Sequence, residues 1–141
     1  MNCYNLGTVY SNNQSSSTAS WAGGIVGYNA GTVLGSYVRN CYNAGGISAI
    51  TGNNIRPAGV VGYNHGNLGG PAVVMNCYNI GNITGTNPAA MIGWHFGTDG
   101  NMTHCYALNN ITTFNNGGTA DNLSACGTFA NNSGVLTPRP G

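Results

Sequence analysis

Apolar positions in this chain fall in short clusters set between Gly and Asn, and the clusters repeat. Asn2-Cys3-Tyr4-Asn5-Leu6-Gly7-Thr8-Val9 recurs as Asn40-Cys41-Tyr42-Asn43-Ala44-Gly45-Gly46-Ile47, again as Asn76-Cys77-Tyr78-Asn79-Ile80-Gly81-Asn82-Ile83, and in decayed form from His104 to Ile111. A second series alternates with it. Gly24-Ile25-Val26-Gly27-Tyr28-Asn29-Ala30-Gly31 is matched by Gly59-Val60-Val61-Gly62-Tyr63-Asn64-His65-Gly66, and more loosely by Ala90-Met91-Ile92-Gly93-Trp94-His95-Phe96-Gly97. Both series read Cys or Gly, aromatic, Asn, any residue, Gly, any residue, aliphatic.

A fixed internal period reports architecture more directly than residue propensities do. The aromatic falls at 4, 28, 42, 63, 78, 94 and 106, a mean spacing of 17. Two or three strands of four or five residues with tight turns fill such a length at about 3.3 Å per residue. The spacing therefore predicts an all-β chain, a β-solenoid (β-helix) of about seven coils averaging 17 residues. The other arrangement open to the same pattern sets two motifs on opposite sides of one larger coil. The repeats occupy residues 1–111, a degenerate closing segment 112–136, and a flexible tail 137–141. Long and short gaps alternate, which predicts insertions at one corner, such as the polar run from Ser11 to Ser20, exposed and mobile.

Composition removes several alternatives. Gly (24) and Asn (23) make a third of the chain, and only 4% of residues are charged: three Arg, no Lys, no Glu and two Asp. No basic patch is available to neutralise a phosphate backbone, so nucleic acid is excluded as a partner. No apolar run of about 18 residues predicts membrane insertion. Leu, Ile, Val and Phe supply only 18%, but disorder by composition also needs high net charge, and here it is +1. Long helices are disfavoured, because interior Gly costs about 1 kcal/mol and Asn prefers turns.

Residues repeated in every coil stack about 4.8 Å apart. Asn5, Asn29, Asn43, Asn64 and Asn79 are expected to form one ladder, with side-chain amides bonding along the axis and a left-handed backbone at the corner. Gly7, Gly31, Gly45, Gly66 and Gly81, two residues on, fit a bend where a Cβ is unwelcome. The ladder is expected to break at His95 and Ala107, as terminal repeats degenerate. Tyr4, Tyr28, Tyr42, Tyr63, Tyr78, Trp94 and Tyr106 form the candidate binding row. Period-two alternation sets Cys and Tyr on opposite faces, so either the Cys point inward and the rings outward, where rings can stack on sugars or a partner protein, or the reverse.

Five cysteines cannot pair completely within one chain. With one motif per coil, Cys3, Cys41, Cys77 and Cys105 lie about 9.6 Å apart, beyond the 4.4 to 6.8 Å that a disulfide spans between Cα atoms; with two motifs per coil they stack at about 4.8 Å and can bridge. Cys126 lies outside the series. Chemistry is sparse. The acid–base candidates are Asp99, Asp121, His65, His95 and His104. Cys105 beside His104 points to the opposite strand face and is not read as a nucleophile. No Cys-x-x-Cys or His-x-x-x-His spacing offers a metal site, and the one carboxylate of Thr98-Asp99-Gly100-Asn101 is few for calcium. No catalytic residue, cofactor or metal is assigned, and no enzyme is expected.

The tandem Asn-Cys-Tyr-Asn-x-Gly and Gly-Gly-Ile-Val-Gly-Tyr-Asn units resemble GLUG-motif repeats over residues 2–111. Such repeats occur in arrays within large bacterial surface and secreted proteins, including adhesin-like proteins and some immunoglobulin A peptidases. The segment from Asn116 to Phe129 is similar to the tail that often closes such an array. The resemblance implies an extracellular or cell-surface location and a scaffold, not a reaction. Met1 stands directly before a mid-array motif with no signal peptide ahead of it, so the chain reads as an excised piece or processed segment. Three functions are expected from these readings. They are a structural or adhesive module that binds glycan or a host or surface protein, a filament subunit self-associating through its solenoid ends, and a non-catalytic segment of a surface peptidase.

Overall fold

A computed structural model describes residues 2–12, 20–49, 55–66, 69–85, 87–96, 100–107, 111–113 and 129–130. Asp99, Asp121, Cys126, the tail 137–141, most of 112–136 and most of the polar run after Ser11 lie outside these described residues. The chain is all-β, with no helix among the described residues.

The strands come in a recurring order. The first unit holds Tyr4–Asn5 (β1), Val9–Ser11 (β2), Ser20–Gly23 (β3), Val26–Ala30 (β4) and Ser36–Arg39 (β5). The second holds Tyr42–Asn43 (β6), Ile47–Ala49 (β7), Ile55–Ala58 (β8), Val61–His65 (β9) and Ala72–Met75 (β10). The third holds Tyr78–Asn79 (β11), Ile83–Gly85 (β12), Ile92–Phe96 (β13) and Gly100–Thr103 (β14), and Tyr106–Ala107 (β15), Ile111–Thr113 (β16) and Phe129–Ala130 (β17) follow. Every pairing is parallel and joins equivalent strands: β1-β6-β11-β15, β2-β7-β12-β16, β3-β8, β4-β9-β13-β17 and β5-β10-β14.

The register corrects the expected 17-residue period. Tyr4 lies beside Tyr42, and Tyr42 beside Tyr78, whereas Tyr28 lies beside Tyr63. The stacked unit thus contains two motifs, one from each series. The two series share a corner but not an environment, and the glycines show why. A Cβ on Gly24 would sit 2.7 Å from the side-chain amide of Asn43, and one on Gly59 would overlap that of Asn79. The glycine-led motif therefore abuts the Asn of the cysteine-led motif across the interior, so one cannot take the other's place in a sheet.

Burial follows the two-residue strand period. In β7 and β12, Ile47 and Ala49, and Ile83 and Gly85, point inward, while Ser48 and Thr84 are half-exposed. One core cluster joins Val38, Val74 and Met102 to Cys41, Cys77, Cys105 and to Val60, Val61, Met91 and Ile92; a smaller one joins Ile47, Ile55 and Ile83. At about 1.5 to 3 kcal/mol for each fully buried aliphatic side chain, these columns are the main favourable contribution to folding.

The corner residues behave differently from expectation. The left-handed non-glycine positions are Asn40 (φ 54°), Asn76 (φ 51°), Asn87 (φ 49°) and His104 (φ 51°), not the second Asn of the motif. Asn40, Asn76 and His104 precede a cysteine, where the chain turns from one sheet into the next. Asn visits this region at low cost because its side chain satisfies backbone locally.

Candidate binding face

Two amide ladders run inside the protein where one was expected. Asn5 donates Nδ2 to Asn43 Oδ1 at 2.8 Å, and Asn43 donates to Asn79 Oδ1 at 2.7 Å. Each of these Asn also closes on its own corner, donating to the carbonyl of Gly7, Gly45 or Gly81. On the other side, Asn29 donates to Asn64 Oδ1 at 2.7 Å, and Asn64 donates both to the Ala72 carbonyl at 2.8 Å and to His95 Nδ1 at 3.1 Å. His95 therefore continues its ladder rather than breaking it, since a ring nitrogen accepts where an amide oxygen would. Ala107, beside Asn79 in the other ladder, has no side-chain acceptor. A third ladder, absent from the sequence reading, links Asn76 to Asn40 and Asn40 to Asn2 at 3.2 and 3.3 Å on the surface.

Gly31, Gly45 and Gly81 are required by close approach, not by left-handed backbone, whereas a Cβ on Gly7 meets nothing nearer than 3.7 Å among the described residues. A Cβ on Gly45 would overlap the Gly7 carbonyl, one on Gly81 the Gly45 carbonyl, and one on Gly31 the Gly70 carbonyl. Gly66 donates its N–H to Phe96 O at 2.8 Å.

The aromatic row likewise divides. In the cysteine-led sheet Tyr4 and Tyr78 are exposed, Tyr42 and Tyr106 half-buried, and Tyr42 stacks on Tyr78 at 5.7 Å with an 11° tilt. Cys41, Cys77 and Cys105 on the opposite face are buried. The thiols of Cys41, Cys77 and Cys105 donate to the carbonyls of Arg39, Met75 and Thr103 at 3.2 to 3.3 Å, and neither they nor Cys3 form a disulfide. Burial pushes the Cys41 thiol above its ordinary value, and in the neighbouring pair contact with Cys105, then burial, pushes Cys77 up while the same contact pulls Cys105 down.

The glycine-led sheet carries a denser set of rings. Alternation turns Asn29, Asn64 and His95 inward, so Tyr28, Tyr63 and Trp94 point out in one file, with His65 and Phe96 two residues further along the same face. Trp21, from β3, joins this file laterally. Its ring lies 4.6 Å from Tyr63, while Tyr63 is 5.1 Å from Tyr28 and 5.5 Å from Trp94. Tyr28 Oη and His65 Nδ1 are 2.8 Å apart, and the His65 ring stacks on Tyr63 at 5.5 Å and 15°. Arg56, in register with Trp21, places its guanidinium 4.4 Å from the Trp94 ring centre. Burial, then the neighbouring Tyr28, holds the Tyr63 phenol above its ordinary value.

Two donors in this face are unused. The indole N–H groups of Trp21 and Trp94 meet no hydrogen-bond acceptor among the described residues. Such groups cost about 1 to 3 kcal/mol each when buried without a partner. Among the described residues no three His, Cys, Asp or Glu side chains converge to hold a metal. No protein-family model, curated protein or solved structure matches the chain.

The structure thus brings together Tyr28, Tyr63 and Trp94 of the expected row and keeps Tyr4, Tyr42, Tyr78 and Tyr106 in a separate sheet. Trp21, Arg56 and His65 were missed as members of the face. Trp21 and Arg56 fall in β3 and β8, which carry no repeated motif, and only their pairing reveals them.

Proposed function

We propose that this chain is a non-enzymatic binding and scaffold module, a β-solenoid whose coil is the two-motif unit, and that the ring face centred on Tyr63 binds carbohydrate. The observation that carries this reading is the continuous half-exposed surface of Trp21, Tyr28, Tyr63 and Trp94, with Arg56 and His65 at its margin. Flat rings with offset spacing suit the apolar faces of sugar rings, while Arg56, His65 and the Tyr28 hydroxyl supply donors and acceptors for sugar hydroxyls. The resemblance of the repeats to GLUG arrays supports a place in a bacterial surface or secreted protein, where glycans are the abundant ligands.

A glycan array probed with the purified chain tests the reading. Binding should fall at least about tenfold in Tyr63→Ala and Trp94→Ala, which corresponds to 1.4 kcal/mol or more. Tyr4→Ala, in the separate sheet, should bind as the parent does. Glycan binding that survives loss of both Tyr63 and Trp94 overturns the assignment of this face.

A further inference from the structure

Both tryptophans of the chain, Trp21 and Trp94, stand in the ring face, and each packs against Tyr63. The ring centres are 4.6 and 5.5 Å from that of Tyr63, and the two indoles are 6.3 Å from each other. Tyr63 in turn lies 5.1 Å from Tyr28, which Trp21 also reaches directly at 6.2 Å. These separations are those of packed aromatic pairs. An electron crosses such gaps readily, because tunnelling decays with distance and the rings leave little distance between them.

The polar hydrogens of these rings are held in different ways. The indole N–H groups of Trp21 and Trp94 are buried and meet no acceptor among the described residues. An indole that loses an electron there has no base beside it and stays a charged radical cation. Burial, then the neighbouring Tyr28, holds the Tyr63 phenol above its ordinary value, which opposes release of its proton. Tyr63 is thus suited to pass an electron on and not to keep the radical.

Tyr28 is placed differently. Its hydroxyl lies 2.8 Å from His65 Nδ1, and a neutral His65 carrying its proton on Nε2 accepts that hydrogen bond. A phenol that loses an electron becomes a far stronger acid, so its proton crosses the short bond to the imidazole as the electron leaves. The products are a neutral tyrosyl radical and an imidazolium. Positive charge then rests on a half-exposed nitrogen base and not on a ring that cannot shed its proton.

We propose that the ring face is a one-electron relay, in which a radical oxidant takes an electron from Trp21 or Trp94 and Tyr28 replaces it, with the Tyr28 proton passing to His65. The indole first gives one electron to the oxidant. Tyr28 then returns one electron to the indole, through Tyr63 or directly to Trp21; its O–H bond breaks, an N–H bond forms at His65 Nδ1, and the radical stays on Tyr28. The relay is independent of carbohydrate binding, since it uses the contacts between the rings and not their outer surface.

Pulse radiolysis of the full chain with azide radical, a one-electron oxidant that selects indoles over phenols, tests the proposal, with far-ultraviolet circular dichroism as the fold control. The tryptophanyl absorption should decay as the tyrosyl absorption rises, at a first-order rate that is independent of protein concentration and slower in deuterium oxide. Tyr28→Phe keeps the ring without the hydroxyl, and His65→Phe keeps a ring beside Tyr63 without the base. Each should slow the transfer at least about tenfold, the ratio that about 1.4 kcal/mol of barrier gives. Tyr42→Phe, in the separate sheet, should transfer as the parent does. A tryptophanyl radical that persists in the parent, a rate that climbs with protein concentration or is unchanged in deuterium oxide, or parent-like transfer in folded Tyr28→Phe or His65→Phe each overturns the proposal. The concentration and isotope comparisons use the parent alone, so the test stands even if a variant misfolds.

Discussion

Asn43 shows how one residue type does three jobs at once. It donates to Asn79, accepts from Asn5 and closes on the carbonyl of Gly45, all while fully buried. Truncation to Ala leaves the amide of Asn5 and the oxygen of Asn79 each short of a partner. We expect Asn43→Ala to cost about 2 to 4 kcal/mol in urea unfolding, since each orphaned buried group costs about 1 to 3 kcal/mol. Asn2→Ala removes only a surface bond and should fall within about 0.5 kcal/mol of the parent. A paired comparison at glycine is sharper still. Gly45→Ala overlaps the Gly7 carbonyl and should destabilise by about 1 to 3 kcal/mol or more, while Gly7→Ala should leave stability nearly unchanged. Equal effects at both sites would show that local backbone preference, and not stacking, selects the glycine.

At the scale of strands, the thiol column is the clearest test of register. Cys3, Cys41, Cys77 and Cys105 occupy equivalent places in successive units, and none of the four forms a disulfide. Mapping of alkylated thiols should label Cys41, Cys77 and Cys105 only after denaturation, with no bridge between neighbours. The pH response of Cys41 has a definite sign. Burial holds its thiol above the ordinary value of 9.0, so the folded state retains a proton that the unfolded state releases. Its contribution to stability is therefore level below about pH 8 and falls as pH rises through and beyond 9, and Cys41→Ala should flatten that fall. Cys77 and Cys105 shift in opposite directions through their mutual contact and so oppose one another. A fall that Cys41→Ala leaves unchanged would contradict the buried Cys41 thiol.

Strand identity was largely legible from the repeat, and strand partnership was not. The motif Asn-Cys-Tyr-Asn, decayed to His-Cys-Tyr-Ala in the last copy, marks β1, β6, β11 and β15 correctly as equivalent, because similar local side chains demand the same turn. The aromatic-Asn-x-Gly corner also occurs in the other series, and a linear average of 17 merges two faces that differ in what they touch. Strand register separates them, and Gly24 against Asn43 and Gly59 against Asn79, 19 and 20 positions apart, mark the difference in what they touch. The ring face was half legible for the same reason. Tyr28, Tyr63 and Trp94 recur in the motif, while Trp21 and Arg56 enter from strands without one.

The molecule as a whole is held together with almost no charge. Its three Arg and two Asp give a net charge of +1, and Arg56 spends its charge on the Trp94 ring. Stability should therefore hardly respond to screening. Between low and about 0.5 M sodium chloride the melting temperature is expected to stay within about 2 °C, because screening acts on charge pairs and this chain has few. A strong rise or fall with salt would point to ion pairs as a principal source of stability.

The sequence alone determined the class of structure, the equivalence of the recurring strands, and the alternation of inward and outward positions along them. Those properties are local: a two-residue alternation, a Gly, or an Asn has the same consequence wherever the strand later goes. The tertiary structure decided which repeats lie side by side, that His95 extends a ladder, that the glycines answer carbonyls from another unit, and that Trp21 and Arg56 complete the ring face. Each of those depends on contacts between residues from about 20 to just over 40 positions apart, set by packing and not by pattern, and packing is what a one-dimensional period averages away.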